Sequence, residues 1–467
     1  MKVRWNAQES RVTHSSPDAV VEILKDLDHP NIVRVFETFL YKKRLFIVLE
    51  LCSGGDLYSR DPYSEDEAHR IVRSLFRAVA YLHTKGIVHR DLKYENCLFV
   101  DKSKQAAVRI IDFGLSQKFA KSEHLHAAVG TAYTMAPEQI QGSYSEKIDV
   151  WALGVMAFML LSSSLPFYGK DKLYVMKQIM QGRFSLHSKR WSQVSDEAKE
   201  FIRCLLVRNP ANRPSAEEAL NLPWLKTARA NTASFSIDQL DDILTSLKAY
   251  ASYGTLKRLA LMVVAYKSTS EEIGFLRTSF VRFDKSNDGE ISFDEFQDAM
   301  SENYTYTEDE MRELFGAIDV DATGKVHYME FLAASIEARG AIDEERLAEA
   351  FDRIDTDDSG HITIQDLRDF LGHEIPLPFL ERIIDEADID NDHTIAYNEF
   401  LNLWEDDSVF QSAREEVNSR RVSSSLTSAD LGAQLDDLED GTDFFHLQKE
   451  LSSRNEKVSD VTSRSEL

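Results

Sequence analysis

Four twelve-residue stretches, "DKSNDGEISFDE" (284–295), "DVDATGKVHYME" (319–330), "DTDDSGHITIQD" (355–366) and "DIDNDHTIAYNE" (388–399), begin 35, 36 and 33 residues apart. A period of this kind constrains architecture more than any other feature, because each unit buries its apolar face only against neighbouring units. Every stretch carries oxygen-bearing side chains at positions one, three and five and an acid at position twelve. A Ca²⁺ ion takes about six to eight oxygen ligands at about 2.3–2.6 Å, which one tight loop can supply. The eighth residues, Ile291, Val326, Ile362 and Ile395, are all apolar, as side-by-side pairing of loops requires.

The first loop offers Asp284, Ser286, Asp288, the Glu290 carbonyl and Glu295, and the second Asp319, Asp321, Thr323, the Lys325 carbonyl and Glu330. The third offers Asp355, Asp357, Ser359, His361 at position seven and Asp366. Asp366 is one methylene shorter than Glu, which predicts weaker Ca²⁺ binding or tolerance of Mg²⁺. The fourth offers Asp388, Asp390, Asp392, the Thr394 carbonyl and Glu399, with His393 at position six. That position needs a positive φ, which Gly adopts without steric cost, so reduced affinity is expected. A solvated acidic surface is the plain alternative, but it does not explain four loops in period. The region resembles the four EF-hand module of calmodulin, which implies an all-α, Ca²⁺-binding domain over 271–403.

The 467 residues suit two or three domains. A net charge of −25 argues against a nucleic-acid partner and fits carboxylates used for metal. Cys52, Cys97 and Cys204 have no paired or metal-ligand spacing and read as thiols of a reducing compartment, so a cytoplasmic location is expected. No apolar run reaches the roughly 20 residues that span a bilayer. Lys at position 2 offers no Gly for myristoylation, so membrane association would need a lipidated segment upstream of Met1. A monomer is expected.

A second set of motifs lies before residue 225. "VHRDLKYENCLF" (88–99), "IIDFGLS" (110–116), "GTAYTMAPE" (130–138), "DVWALG" (149–154) and Arg213 in "NPANRPSAEEAL" follow in one order. Any one alone is weak; together they resemble the protein-kinase family. The resemblance implies that Asp91 accepts the substrate hydroxyl's proton, Lys93 neutralises the transferring phosphoryl group, and Asn96 and Asp112 hold Mg²⁺. It also implies an Arg213–Glu138 ion pair and a bracing role for Asp149. In "LFIVLELCSGGDL" (45–57), Leu49 would be the gatekeeper, and backbone groups of Glu50 and Cys52 would meet the adenine of ATP. Asp56 and Glu95 stand where basophilic kinases carry acids, which suggests protein substrates with Ser or Thr after basic residues. For Asp56 an ordinary surface acid is the competing reading. Between "FGL" and "GTAY" lie Ser116 and Ser122 but no Thr, which fits control by Ca²⁺ rather than by activation-loop phosphorylation.

The start of the chain departs from the kinase pattern. "EILKDLDHPNIV" (22–33) resembles the end of the upper-lobe helix, and the position of its Glu falls on Val20. Lys2 lies 18 residues earlier, where the nucleotide-binding Lys of the third strand would stand. The Gly-rich loop that precedes this strand has no counterpart here. Either an upstream segment lies outside this sequence, or the nucleotide site is impaired and the chain is a calcium-responsive pseudokinase or scaffold. Glu22 or Asp18 could replace the missing Glu by a shift of the helix.

Between the two regions, Lys248, Lys257 and Arg258 flank Leu247, Leu256, Leu259 and Met262 at helical spacing. A basic amphipathic helix is a ligand for an opened EF-hand groove. The whole chain therefore resembles the calcium-dependent protein kinases of plants and protists. The resemblance implies a junction helix that leaves the substrate cleft when the EF hands capture it. "ARANT" (228–232) and "RRVSSS" (420–425) are candidate phosphorylation sites. The expected class is α+β: a two-lobed, N-terminally truncated kinase fold (1–225), a junction (226–270), four EF hands (271–403) and an acidic Ser-rich tail (404–467). That tail reads as mostly disordered, with a short helix around 430–450.

Overall fold

Aromatic and β-branched residues crowd 35–49, and in the computed structural model of the chain they form strands β2 (Val35–Tyr41) and β3 (Arg44–Leu49). The structure describes residues 2–4, 17–41, 44–119, 125–127, 129–226, 237–371, 375–405 and 408–421. They fall into two compact units, one spanning 1–232 and one beginning at 233. In the first unit, strand β1 (Lys2–Arg4) pairs with β3 on the side away from β2, giving an antiparallel order β1-β3-β2 with Lys2 opposite Val48. Helix α1 (Pro17–Lys25) opens on Pro and buries Val20, Val21, Ile23 and Leu24.

The larger part of this unit is helical. Helix α2 (Glu65–Thr84) starts at a capping box: Ser64 Oγ accepts from Glu67 N at 3.3 Å, and Glu67 accepts from Ser64 N at 2.9 Å. Three acids in its first turn face the positive end of the helix dipole. Helix α3 (Lys147–Ser162) is apolar on all sides and, as such a sequence must be, buried from Ile148 to Ser162. Gly154 allows its closest neighbour in, since a Cβ there would lie 2.8 Å from Leu205 Cβ.

In the second unit, the expected single junction helix is two helices, α4 (Ile237–Ser252) and α5 (Thr255–Lys267). Gly254 is the N-cap of α5, and Glu386 Oε2 accepts the otherwise orphaned Leu256 N–H at 3.0 Å. The break lets both helices present apolar faces to one core, which holds Leu240, Leu244 and Leu247 together with Leu259, Leu261 and Val263. The basic residues are drawn inward as well. Lys257 is 7% exposed; its ammonium donates to Leu403 O at 2.9 Å and lies 3.9 Å from the Tyr253 ring centre. Arg258 donates to Ala251 O at 2.5 Å, and Lys248 pairs with Glu416.

Glu416 belongs to a further correction. Residues 408–420, expected in a disordered tail, form helix α6 (Ser408–Arg420) against α4. Its composition is polar, but Ala413 and Val417 are buried, and its C-terminal end is tied by charge. Arg421 pairs with Asp241 at 3.1 Å, and Arg420 pairs with Glu310 at 2.5 Å. The 430–450 helix, "RRVSSS" beyond Arg421, and all of "ARANT" lie outside the described residues. No helix among the described residues is long and apolar enough to cross a membrane.

Val417 is fully buried although α6 is polar overall, so it tests whether α6 docks on α4. Val417→Ala is expected to cost about 2 kcal/mol, and Val417→Asp more, because it buries an unpaired carboxylate. Both should lower the thermal midpoint of the second unit while leaving that of the first unchanged, as scanning calorimetry would resolve.

Candidate active site and calcium loops

Strands β4 (Cys97–Phe99) and β5 (Val108–Ile110) pair with Cys97 opposite Ile110, and Ile111 N donates to Asn96 O at 2.9 Å. This ladder sets Asn96 and Asp112 side by side at its end. The loop before β4 is held by one buried carboxylate: Asp149 accepts from His89 N at 2.8 Å, Arg90 N at 2.9 Å and His83 Nε2 at 3.1 Å. Burial alone would raise the Asp149 carboxyl, but the His83 hydrogen bond and charge, with His89, outweigh it and hold it below the usual carboxylate range. Pinned in this way, Arg90 adopts φ 70; Asp112, beyond β5, adopts φ 61, and a non-Gly residue holds such a conformation only when its surroundings enforce it.

Within this loop Asp91 is the shared acceptor. Its Oδ2 takes hydrogen bonds from Lys93 Nζ at 2.7 Å and Asn96 Nδ2 at 3.2 Å, and its Oδ1 takes one from Thr131 Oγ1 at 2.6 Å. Lys93 Nζ also reaches Thr131 Oγ1 at 3.1 Å. Asn96 Nδ2 donates to Asp91 O at 2.9 Å as well, so Oδ1 is the amide's remaining acceptor atom. Asp112 is exposed and engages Gly114 N with one oxygen only, at 3.2 Å. An amide oxygen and an exposed carboxylate are oxygen donors of the kind that Mg²⁺ accepts. Thr131 was not anticipated from the sequence; its place at the head of "GTAY" is the signal that could have found it.

Leu49 ends β3 and is buried. The Glu50 carboxylate lies between Arg109, at 2.6 Å, and Arg34, at 3.3 Å, so its side chain serves structure. Burial first, and then the Glu50 charge, push the Cys52 thiol up to about 12, so it is not a reactive thiolate. Lys2 lies in β1, and its side chain is outside the described residues, as are that of Asp18 and Ser122. Val20 is 3% exposed in the core, and Glu22 reaches Lys118 at 3.2 Å on the surface. Ser116 is fully buried, and Arg90 donates to Gln117 Oε1 at 2.7 Å, a neutral partner from the activation segment. Asp56 caps the turn at 57–60 by accepting from Ser59 N, whereas Glu95 accepts from Tyr133 Oη at 2.7 Å.

The four acidic loops close alike. The first-position acids Asp284, Asp319, Asp355 and Asp388 each accept two amides, those of positions five and six. Position four has positive φ in every loop, at Asn287, Ala322, Asp358 and Asn391. Position six does too, and His393 takes φ 63 where the other loops use Gly. The twelfth acids straddle each loop: Glu330 accepts from Val320 N at 2.9 Å and His327 N at 2.7 Å. Asp366 makes the same span, with Thr356 N at 3.0 Å and Thr363 N at 2.9 Å, so its loop closes on the shorter acid. Loops pair through Ile291 with Val326 and Ile362 with Ile395. Carboxylates drawn together around shared amides, with loop carbonyls beside them, suit a hard cation, and the residues fit Ca²⁺. Burial raises the Glu330 carboxyl to about 8, and nearby Asp321 and Asp319 add to the rise, so a cation would replace a proton there.

One unit thus carries a kinase-type catalytic loop and the other two pairs of calcium loops. Residues 3–225 match the protein kinase domain family, and residues 275–336 and 344–405 match the EF-hand domain pair. The chain is 33% identical over 390 residues to calcium-dependent protein kinase 5 of Plasmodium falciparum (isolate 3D7), covering 82% of this chain and 69% of that protein. It is 34% identical over 392 residues to calcium-dependent protein kinase 14 of Arabidopsis thaliana, covering 82% and 73%. It is 33% identical over 394 residues to calcium-dependent protein kinase 21 of the same plant, again covering 82% and 73%. The chain belongs to the calcium-dependent protein kinases, a family of calcium-activated serine/threonine kinases.

Arg213 is fully buried and holds Glu138 with two hydrogen bonds, at 2.7 and 3.2 Å. Removing the guanidinium in Arg213→Ala would strand that carboxylate, at a cost of about 3–5 kcal/mol in the first unit. Denaturant unfolding followed by tryptophan fluorescence should show it. In the third loop, Asp366→Glu should raise Ca²⁺ affinity relative to Mg²⁺, as calorimetric titration with each ion would report.

Proposed function

We propose that this chain transfers the γ-phosphate of ATP to Ser or Thr of protein substrates, with Mg²⁺ held by Asn96 and Asp112, when Ca²⁺ fills its acidic loops. The observation that carries the reading is Asp91, on which Lys93, Asn96 and Thr131 converge. Asp91 orients the incoming hydroxyl and takes its proton, the Lys93 ammonium offsets charge on the moving phosphoryl group, and Thr131 holds the carboxylate in place. ATP and its metal supply the phosphoryl group and its charge neutralisation. A preference for basic residues before the target rests on Glu95, which is exposed beside Tyr133; Asp56 contributes less, because its carboxylate caps a turn. Regulation is intramolecular, since α4 and α5 share one core with the loops. The free thiols Cys52, Cys97 and Cys204 support a cytoplasmic location.

A second reading, a calcium-responsive binding protein without turnover, draws on Val20, which puts an apolar side chain where α1 would offer a carboxylate. One assay separates the two. Phosphate incorporation into an Arg-containing peptide should require Ca²⁺, fall on chelation, and drop about a hundredfold or more in Asp91→Asn. Incorporation at millimolar ATP that does not depend on Asp91 would favour the binding protein. Glu95→Ala should lower the selectivity for basic over neutral peptides while leaving kcat on neutral peptides unchanged.

A further inference from the structure

Among the described residues, one of the loops differs from the others in the chemistry of its donors. In the third loop Asp355, Asp357 and Asp366 bring their ligand atoms together, and in the fourth Asp388, Asp390 and Glu399 do, all through oxygen. In the second loop the corresponding group is Asp321, His327 and Glu330, whose donor atoms lie within 4.8 Å of one another. His327 stands at position nine, where the other loops have Ser292, Thr363 and Ala396, none of which carries a side-chain nitrogen.

The imidazole is aimed inward. Its Nε2 is 3.3 Å from Asp321 Oδ2 and 3.5 Å from Thr323 Oγ1, inside the loop. Its Nδ1 turns the other way, to 3.6 Å from Glu290 Oε1 in the first loop. Glu290 is itself held by Lys325 Nζ at 2.8 Å. The group is sheltered rather than spread over a solvated surface: the side chains of Asp321 and His327 are 8% and 14% exposed, and Glu330 is 1% exposed.

We propose that the second loop is a site for a nitrogen-seeking divalent cation, Zn²⁺ being the best fit, held by Asp321, His327 Nε2 and Glu330. Ca²⁺ is hard and gains little from imidazole, whereas Zn²⁺ binds imidazole and carboxylate together and commonly takes three protein ligands. A metal-bound histidine characteristically has a carboxylate behind its second nitrogen, which fixes the tautomer and leaves the first nitrogen's lone pair free. Glu290 Oε1 lies on that side at 3.6 Å, near enough for charge pairing though longer than a hydrogen bond, and it comes from the neighbouring loop. The two loops of this pair therefore have unlike selectivity, with the first built of oxygen and the second containing nitrogen. Zn²⁺ would compete with Ca²⁺ for the second loop without touching the third and fourth.

The test uses the full chain, stripped of metal with chelator and then titrated with Zn²⁺ in Ca²⁺ sufficient to fill the oxygen loops. One Zn²⁺ should bind, and X-ray absorption at the zinc edge should report an imidazole nitrogen in its shell. His327→Gln should lower that affinity at least tenfold and remove the nitrogen signal, with the Ca²⁺ titration of the other loops unchanged. Glu290→Gln should weaken Zn²⁺ about tenfold, in line with the loss of an outer-shell partner. His327→Asp should reverse the selectivity, strengthening Ca²⁺ at this loop and weakening Zn²⁺. Far-ultraviolet circular dichroism shows that each variant is folded. Zn²⁺ affinity unchanged in His327→Gln, an all-oxygen zinc shell, or displacement of Zn²⁺ by an equal concentration of Ca²⁺ would each overturn the proposal. The readout is metal binding, so it stands or falls apart from the kinase assay.

Discussion

Buried and half-buried carboxylates that accept backbone amides do the same work in both units. Asp149 gathers the amides of His89 and Arg90 and so fixes the path of the catalytic loop. In the second unit each twelfth-position acid spans its loop from one side to the other, and each first-position acid gathers two amides from the turn. A carboxylate taken out of water is expensive unless its oxygens are satisfied, and amides satisfy it without a counter-charge. The functional loops are thereby held open at defined points, and their remaining oxygens are left for substrate or cation.

The calcium loops were legible because their chemistry is local: twelve consecutive residues contain both the ligands and the turn. Even the third loop, doubtful for the reach of Asp366, closes on the amides of positions two and nine, as the second and fourth loops do with Glu. The candidate catalytic residues were legible as a group for a related reason, since Asp91, Lys93 and Asn96 lie within one short loop and meet there. Partners brought in from afar were not. Thr131 meets Asp91 only because the chain returns forty residues later. His327 is one residue of an expected loop, yet its meaning depends on Glu290 in another. The junction shows the same limit. Periodicity marked its apolar stripe, but the division at Gly254 depends on Glu386, which lies 130 residues along the chain from the Leu256 amide it accepts. The polar helix α6 was missed because only Ala413 and Val417 anchor it, too few to give a periodic signal.

The junction is therefore not a helix laid on the surface of the calcium-binding domain. Its residues from Leu256 to Ala265 are nearly all buried, and its Lys257 sits between a carbonyl and aromatic rings. A sequence that presents basic residues beside apolar ones reads as a surface for binding; here the basic side chains are interior anchors. Helix α6 adds a second layer over α4, joined by Lys248–Glu416 and Arg421–Asp241. Freeing α4 would mean breaking these contacts as well as those of the core.

Glu386 joins two elements that a linear description keeps apart. It stands two residues before Asp388, the first-position acid of the fourth loop, and its carboxylate tethers the opening turn of α5. A side chain at Gly254 would collide with that carboxylate, since a Cβ there lies 2.7 Å from Glu386 Oε2. The knee between the two junction helices is thus wired to the rim of an ion-binding cradle, and a shift of that rim as the cradle fills would be felt first at the knee.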